Sequence, residues 1–450
     1  MKKLSVFQIT LLAVFGALAV AGVLIFAFAI GGTTNNSIGP VKIWGTLDGN
    51  AFAAVIRASA DSNPALSQVS YVQKDPATFE ADLTKALASG TGPDLFLIPQ
   101  NYAYKDAGEI AAIPAAQISQ SQFDGTFIEA ASPFFSSGGA LAIPILSDPL
   151  VLYWNKDMLA SGGASQAPTY WDQLFTLAQN ITVKDTSGSI TKSAVALGEY
   201  QNVDHAKDIL ATLIMQAGGQ LTSLDSAGHL VSALVPKTGT GASAAESALR
   251  FYTEFADPSK NDYSWNRALP DAEQAFVAGD LALYIGYASE APAITRGNPN
   301  LNFGVAPLPQ IRSAPTTLDT AIVYGLAAAR TGQNPSAAIT VAAALGTAAN
   351  SDALATAVGI PSARRDVLAA ASTRAIPGEL VAANDICKGI DPVVCSAQIA
   401  QAWIDPDPDA TDALFQTMIE DTTSGAALVT QALQRADQQM SQIFSNQNQQ

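Results

Sequence analysis

Apolar and polar positions follow a rhythm that repeats along most of the chain. Residues 41–44 read as a short strand, and 50–61 as a helix with Phe52, Val55 and Ile56 on one side. Residues 69–73 alternate like a strand. Residues 76–89 place Phe79, Leu83 and Leu87 at helical spacing, and 95–98 form a continuous apolar run of the buried-strand type. This β-α-β-α-β order predicts a parallel sheet with crossover helices. A second block follows, with strands at 141–146, 150–154, 281–285, 303–306 and 322–328. Helices are expected near 170–180 (Thr169 as N-cap), 203–217, 242–256, 270–278 and 335–349. Residues 350–443 read as mostly helical, with breaks at 359–361, 377–378 and 404–409, and 444–450 as a polar tail. Ligands of open parallel sheets sit outside the carboxyl ends of strands. The loops after Trp44, Ile98, Leu146 and Ile285 are therefore the places to look.

The N-terminus breaks this rhythm. Lys2 and Lys3 precede an uncharged apolar run at 11–30. Twenty residues of helix span about 30 Å, the thickness of a bilayer core. The lysines favour a cytoplasmic segment 1–10, leaving everything after the run outside. The expectation is a single-pass anchor. Ala27-Phe28-Ala29 offers a small-x-small cleavage site, so a cleaved signal is the alternative and would give a secreted or periplasmic protein. Residues 31–40 form a Gly-rich polar linker.

Composition narrows the chemistry. The 450 residues carry 23 basic and 39 acidic side chains, a net charge of −16 that repels phosphate backbones and argues against nucleic acid. His205, His229, Cys387 and Cys395 are the whole supply of His and Cys. That is little material for zinc sites, haem or nucleophilic triads, and the chain leans away from an enzyme. Outside the membrane Cys387 and Cys395 read as a short-loop disulfide, with two separate buried thiols as the alternative.

Several segments, in order, resemble extracellular solute-binding proteins of ABC transporters, of the maltose-binding-protein-like class. They are KIWGTLDGNAF (42–52), TGPDLFL (91–97), AIPILSDPLVLYWNKDML (142–159), PTYWDQL (168–174), EQAFVAGDLALYIGY (273–287), NFGVAPLP (302–309), GIPSARRDVL (359–368) and a last helix ending MSQIF. Leu283 stands where the family pattern has Met, and Trp154 where it commonly has Tyr. The resemblance implies an α/β, two-lobed periplasmic-binding-protein-like fold of type II with a hinged interlobe cleft. Lobe 1 would hold 41–147 and 303–357, and lobe 2 would hold 148–302 and 358–450.

It also implies where a ligand sits. Sugars present apolar ring faces and a rim of hydroxyls, which aromatics and carboxylates match. Trp44 and Asp48 fall at cleft positions of the family; their plainer readings are a core aromatic and a helix N-cap. Asn101 and Tyr102 follow the strand at 95–98, and are otherwise ordinary surface. Asp148 lies where the family places a ligand-binding acid, and is otherwise a structural cap. Tyr287 and Trp403 match stacking positions, and are otherwise packing between lobes. Tyr200, in an expected loop, completes the set. Asp405, Asp407, Asp409 and Asp412 suggest a calcium loop, but Ala410 and Gln416 stand where an EF-hand needs Gly and Glu. Capping of the next helix is the better reading, and no metal or cofactor is expected. The implied function is a monomeric receptor that captures a small solute, a carbohydrate, and delivers it to an ABC permease. An exported carbohydrate-active enzyme and a non-transport ligand sensor on the same fold are the alternatives.

Overall fold

The computed structural model describes residues 38–236, 242–312, 314, 316–372, 387 and 389–447. The apolar run at 11–30 and the break at 377–378 lie outside the described residues. Among the described residues no helix is long and apolar enough to cross a membrane. The unit described below begins at Pro40.

The first elements follow the sequence rhythm. They are β1 (Val41–Gly45), α1 (Gly49–Ser62), β2 (Val69–Gln73), α2 (Phe79–Ala88) and β3 (Leu95–Pro99). β1 pairs in parallel with both β2 and β3. The long strand β4 (Ile143–Asn155) comes next, then β5 (Ile190–Val195), α3 (Ala206–Gln216), β6 (Leu281–Tyr287), β7 (Phe303–Ala306) and β8 (Asp319–Ala328). The chain closes with α4 (Pro408–Thr423) and α5 (Val429–Gln447). The main sheet has the order β2-β1-β3-β8-β4-β6-β5, with Val183–Lys184 beyond β5 and β7 also on β4.

β4 corrects the sequence reading. The runs 141–146 and 150–154 do not flank a loop; they belong to one thirteen-residue strand, buried throughout. Ser147, Asp148 and Pro149 look like a turn because they are polar or lack an N–H, yet they continue the ladder. The first half of β4 pairs with β8 as far as Pro149↔Ala321. The second half pairs with β6 from Leu150↔Tyr287, and with β7 on its other side. The partner changes at Pro149, which has no N–H to lose there. The register on β8 slips between Tyr324 and Gly325, opposite the other strand proline, Pro144.

Packing separates into two parts around this strand. One contiguous apolar core draws its buried side chains from residues 150–308 and 414–444. The buried apolar side chains of 41–146 and 318–400 lie outside that core. β7 pairs with the second half of β4, so residues 303–306 sit beside the 150–308 elements. Phe127 bridges to Arg364, and Leu146 to Ser362, so residues 362–364 sit beside the first group. β5 was not legible: Thr191-Lys192-Ser193 is a polar run, and the strand is held by β6 on one side. The expected helix at 335–349 ends at Leu345, and a second helix covers Ala348–Val358. Cys387 and Cys395 form the expected disulfide, with Cα atoms 5.5 Å apart.

Candidate functional site

The start of β8, the end of β6, the turn after β3, the first turns of α3 and the stretch 401–405 meet around one cavity of about 30 Å³. Its walls include Gln100 and Asn101, Lys207, Asp208 and Ala211, Tyr287, residues 320–322, and Gln401, Ala402, Trp403 and Asp405. Ligand pockets occupy roughly 300–1,000 Å³. A space of about 30 Å³ admits a water molecule. A sugar therefore enters only if the walls part. A larger open groove of about 920 Å³ lies along residues 218–236, 242–246 and α5, but among the described residues its lining has no aromatic side chain.

The cavity is framed by satisfied polar groups. Gln100 is buried; its Nε2 donates to the Ala321 carbonyl at 2.9 Å and its Oε1 accepts from Val323 N at 2.5 Å. This ties the β3 turn to β8. Lys207 Nζ, on α3, donates to Asp405 Oδ2 at 2.7 Å, Thr411 Oγ1 at 2.7 Å and the Pro408 carbonyl at 3.1 Å. Both ions are buried, and burial raises the Asp405 carboxyl even against the Lys207 charge. Lys207 also stands 5.7 Å from the centre of the Trp403 ring. Among these groups Asn101 Oδ1 is the exception: it is buried and has no hydrogen-bond donor.

Tyr287 is held from behind. Burial, with the Asp208 carboxylate beside its hydroxyl, raises its pKa well above the ordinary value, so it stays a donor. Glu290 Oε1 accepts from Tyr287 N at 3.1 Å and lies 2.6 Å from His205 Nε2. His205 packs edge-on against the Tyr287 ring, with centroids 4.7 Å apart. Burial pushes the His205 imidazole down, but Glu290 more than offsets this and raises it. His205 has φ +60°, unlike the other described non-Gly residues. That conformation costs about 1–2 kcal/mol, and the Glu290 contact helps hold it. Gly286 lets the chain fold back tightly enough for Glu290 to reach Tyr284 as well, at 2.6 Å.

The candidates read from the sequence divide. Asn101, Tyr287 and Trp403 converge on the cavity although they lie far apart in the chain. Tyr102 turns away from it and donates to Asp409 at 3.1 Å. Tyr200 packs against the apolar core, bonded to Asp412. Asp148 is not in a loop: it is buried within β4, and its Oδ1 accepts from Ser289 N at 3.0 Å. Burial pushes its pKa up to about 6, the Ser289 hydrogen bonds acting against that rise. Asp48 caps α1, accepting from Ala51 N at 2.7 Å. Trp44 lies under Lys74, whose Nζ is 3.6 Å from the ring centre. Neither Trp44 nor Asp48 lines the cavity.

The acids after Trp403 have other uses than metal binding. Asp405 pairs with Lys207, Asp407 caps α4, and Asp409 pairs with Lys105. Among the described residues no cluster of His, Cys, Asp and Glu is arranged to hold a metal. Sequence reasoning missed Lys207, Asp208, Gln100 and Gln401. A cation at the start of an apolar helix, within so acidic a chain, was the one available signal for Lys207.

Comparisons with known proteins agree with this architecture. The solved structure of a cyclic α-maltosyl-1,6-maltose binding protein from Arthrobacter globiformis overlays with a TM-score of 0.70 at 19% identity, covering 91% of this chain and 100% of that one. A Thermotoga lettingae ABC-transporter solute-binding protein bound to α-D-tagatose gives 0.66 at 19% identity, covering 90% and 100%. The sugar-binding protein of Xanthomonas citri gives 0.68 at 16%, covering 91% and 98%. At these identities the likeness is one of fold, a mixed α/β periplasmic-binding-protein-like fold. A binding protein of Brucella abortus strain 2308 is 24% identical over 236 residues, 50% of this chain and 52% of that protein. The chain thus spans about half the length of the curated relatives it matches. The sequence profile of bacterial extracellular solute-binding proteins matches residues 67–352, well over half of the chain. On that match, the chain belongs to the bacterial extracellular solute-binding protein family.

Proposed function

We propose that this protein is an extracytoplasmic receptor that binds a carbohydrate between two lobes and hands it to an ABC permease. The lobes are 41–147 with 303–357, and 148–302 with 358–450. The separate core of residues 150–308 and 414–444 supports two lobes; it favours moving 303–308 to the second, and the bridges from Phe127 to Arg364 and from Leu146 to Ser362 favour keeping 362–364 with the first. Residues 11–30 anchor the receptor in the membrane, it acts as a monomer, and it makes and breaks no covalent bond.

One observation carries the ligand class. Two aromatic rings, Tyr287 and Trp403, and the unmet acceptor of Asn101 share a cavity with Lys207 and Asp208. Flat apolar faces beside fixed donors and acceptors suit a ring with hydroxyls. Three of the solved relatives above are named for sugars or hold one, which favours the same class. Opening of the walls and closure on the ligand is a population shift, driven by the extra contacts of the closed form.

A thermal-shift screen of residues 38–450 against mono- and oligosaccharides tests this reading. A cognate sugar at about 100 times its Kd should add about 2.7 kcal/mol of stability. Absence of any shift across the panel, with shifts from amino acids or peptides instead, would remove the carbohydrate assignment.

A further inference from the structure

The turn after β3 reaches across to the elements that follow Trp403, at a point next to the cavity but outside it. Lys105 Nζ donates to Asp409 Oδ2 at 2.6 Å and lies 3.5 Å from Asp407 Oδ1. Tyr102 donates to Asp409 Oδ1 at 3.1 Å, and the Lys105 ammonium sits 5.2 Å from the Tyr102 ring. Tyr104 meets Phe444 of α5 edge-on, ring centroids 6.3 Å apart. Three side chains of one short turn therefore contact α4 and α5, whose apolar faces belong to the other core.

The turn is also wired to the cavity wall at both ends. Asn101, next to Tyr102, lines the cavity, and so does Asp405. Asp405 Oδ1 accepts from Asp407 N at 3.2 Å, which fixes the acid segment to the wall. Parting the walls to the size of a sugar separates the β3 turn from α4, and that breaks the Lys105 and Tyr102 contacts.

We infer that Lys105 and Tyr102 form a latch with Asp407 and Asp409, positioning residues that set affinity by weighting the closed form without touching ligand. This rests on the two-lobed receptor reading. Tyr102, expected to contact sugar, becomes part of the latch. The charged groups facing Lys105 are Asp407 and Asp409 on the α4 side, and Glu80 and Asp106 on its own. Burial raises the Glu80 and Asp106 carboxyls; Glu80 raises Asp106 further, while the hydrogen bond from Asp106 acts against the rise at Glu80. The hydrogen bond from Lys105 holds the Asp409 carboxyl below its ordinary value. Asp106, pushed up to about 8, adds little charge on the β3 side, while Asp409 stays ionised.

Asp409 is largely exposed, so the pair is screened and its weight is modest. The test uses the full chain without sugar. Nitroxide labels at Ser67→Cys and Thr430→Cys report the separation of the two parts by pulsed spin-resonance distances. In low salt, Lys105→Ala should lower the ratio of short to long distances about two- to fivefold. In 0.5 M salt the difference between parent and variant should shrink, as screening removes the pair from both. Lys105→Asp combined with Asp409→Lys should restore the parent distribution. Unchanged distances in Lys105→Ala at low salt, or no rescue by the exchange, overturn the latch. Because no sugar enters the measurement, failure of the sugar screen leaves this result intact, and the reverse also holds.

Discussion

The carboxyl ends of β1 and β6 carry much the same local sequence signal: an aromatic residue at a strand end with an acid close by. They have opposite fates. At β6, Tyr287 is buried beside Asp208 and His205 and faces the cavity. At β1, Trp44 is only half-buried under Lys74, and Asp48 spends its carboxylate on the first turn of α1. Nothing within either strand decides this. The β6 end is covered by α3, by residues 401–405 and by the start of β8, whereas the β1 end is left outside the cavity.

The most severe way to break the contrast is at the buried ion pair beneath the β6 end. Lys207→Met leaves the Asp405 carboxylate buried without its cation. Urea denaturation should show a loss of about 3–5 kcal/mol, and Asp405→Asn in the same chain should recover much of it. A variant as stable as the parent would mean that the pair does not hold the wall.

Titration separates the two ends as well. Burial pushes Asp319, at the start of β8, up to about 7 and Asp148 up to about 6. For a raised carboxyl the folded state holds the proton that the unfolded chain gives up near pH 4. The stabilising contribution is full below that pH and is lost as pH rises through the folded value. The raised His205 acts in the same direction, its contribution being lost above its own folded pKa. Stability should therefore fall between pH 5 and pH 8, with Asp319 supplying about 2 kcal/mol of the change. Urea midpoints at both pH values, with Asp319→Asn flattening the slope, check it; equal midpoints in the parent would refute it.

Binding sharpens the contrast further. Trp403→Ala should weaken a sugar found in the screen about ten- to a hundredfold, through lost stacking area. Trp44→Ala should change it less than about twofold if its ring stays outside the closed site. Equal losses in calorimetry would return the β1 end to the ligand site. The smallest effect is expected at Asp48→Ala, where loss of the N-cap costs about 1 kcal/mol of stability and binding is unchanged.

Much of this was legible because periodicity marks buried faces. β1, α1, β2, α2 and β3 lie within a few residues of their expected bounds, and all but β2 bury a clear apolar face. What failed had a common cause. Asp148 was read as a loop acid because Ser147-Asp148-Pro149 has the composition of a turn; only the backbone N–H of Ser289, 141 residues away, makes the carboxylate acceptable inside a strand. Tyr102 was read as a ligand contact because no local pattern shows that Asp409 will arrive opposite it. Lys207 is harder to place, since the first turn of a helix does not show which carboxylate, 198 residues further on, will meet it.

β4 has one more consequence. Two apolar cores share a single thirteen-residue strand, so neither can be excised as a free-standing fragment. Cutting the chain between Ser147 and Leu150 would leave β8 on one product and its partners, β3 and the first half of β4, on the other, while β6 and β7 keep the second half of β4. Each product would carry a raw sheet margin open to association with other chains. The intact protein should accordingly melt as one calorimetric transition. The backbone amides in the middle of β4 should be among the last to exchange with solvent, released only when the whole molecule unfolds.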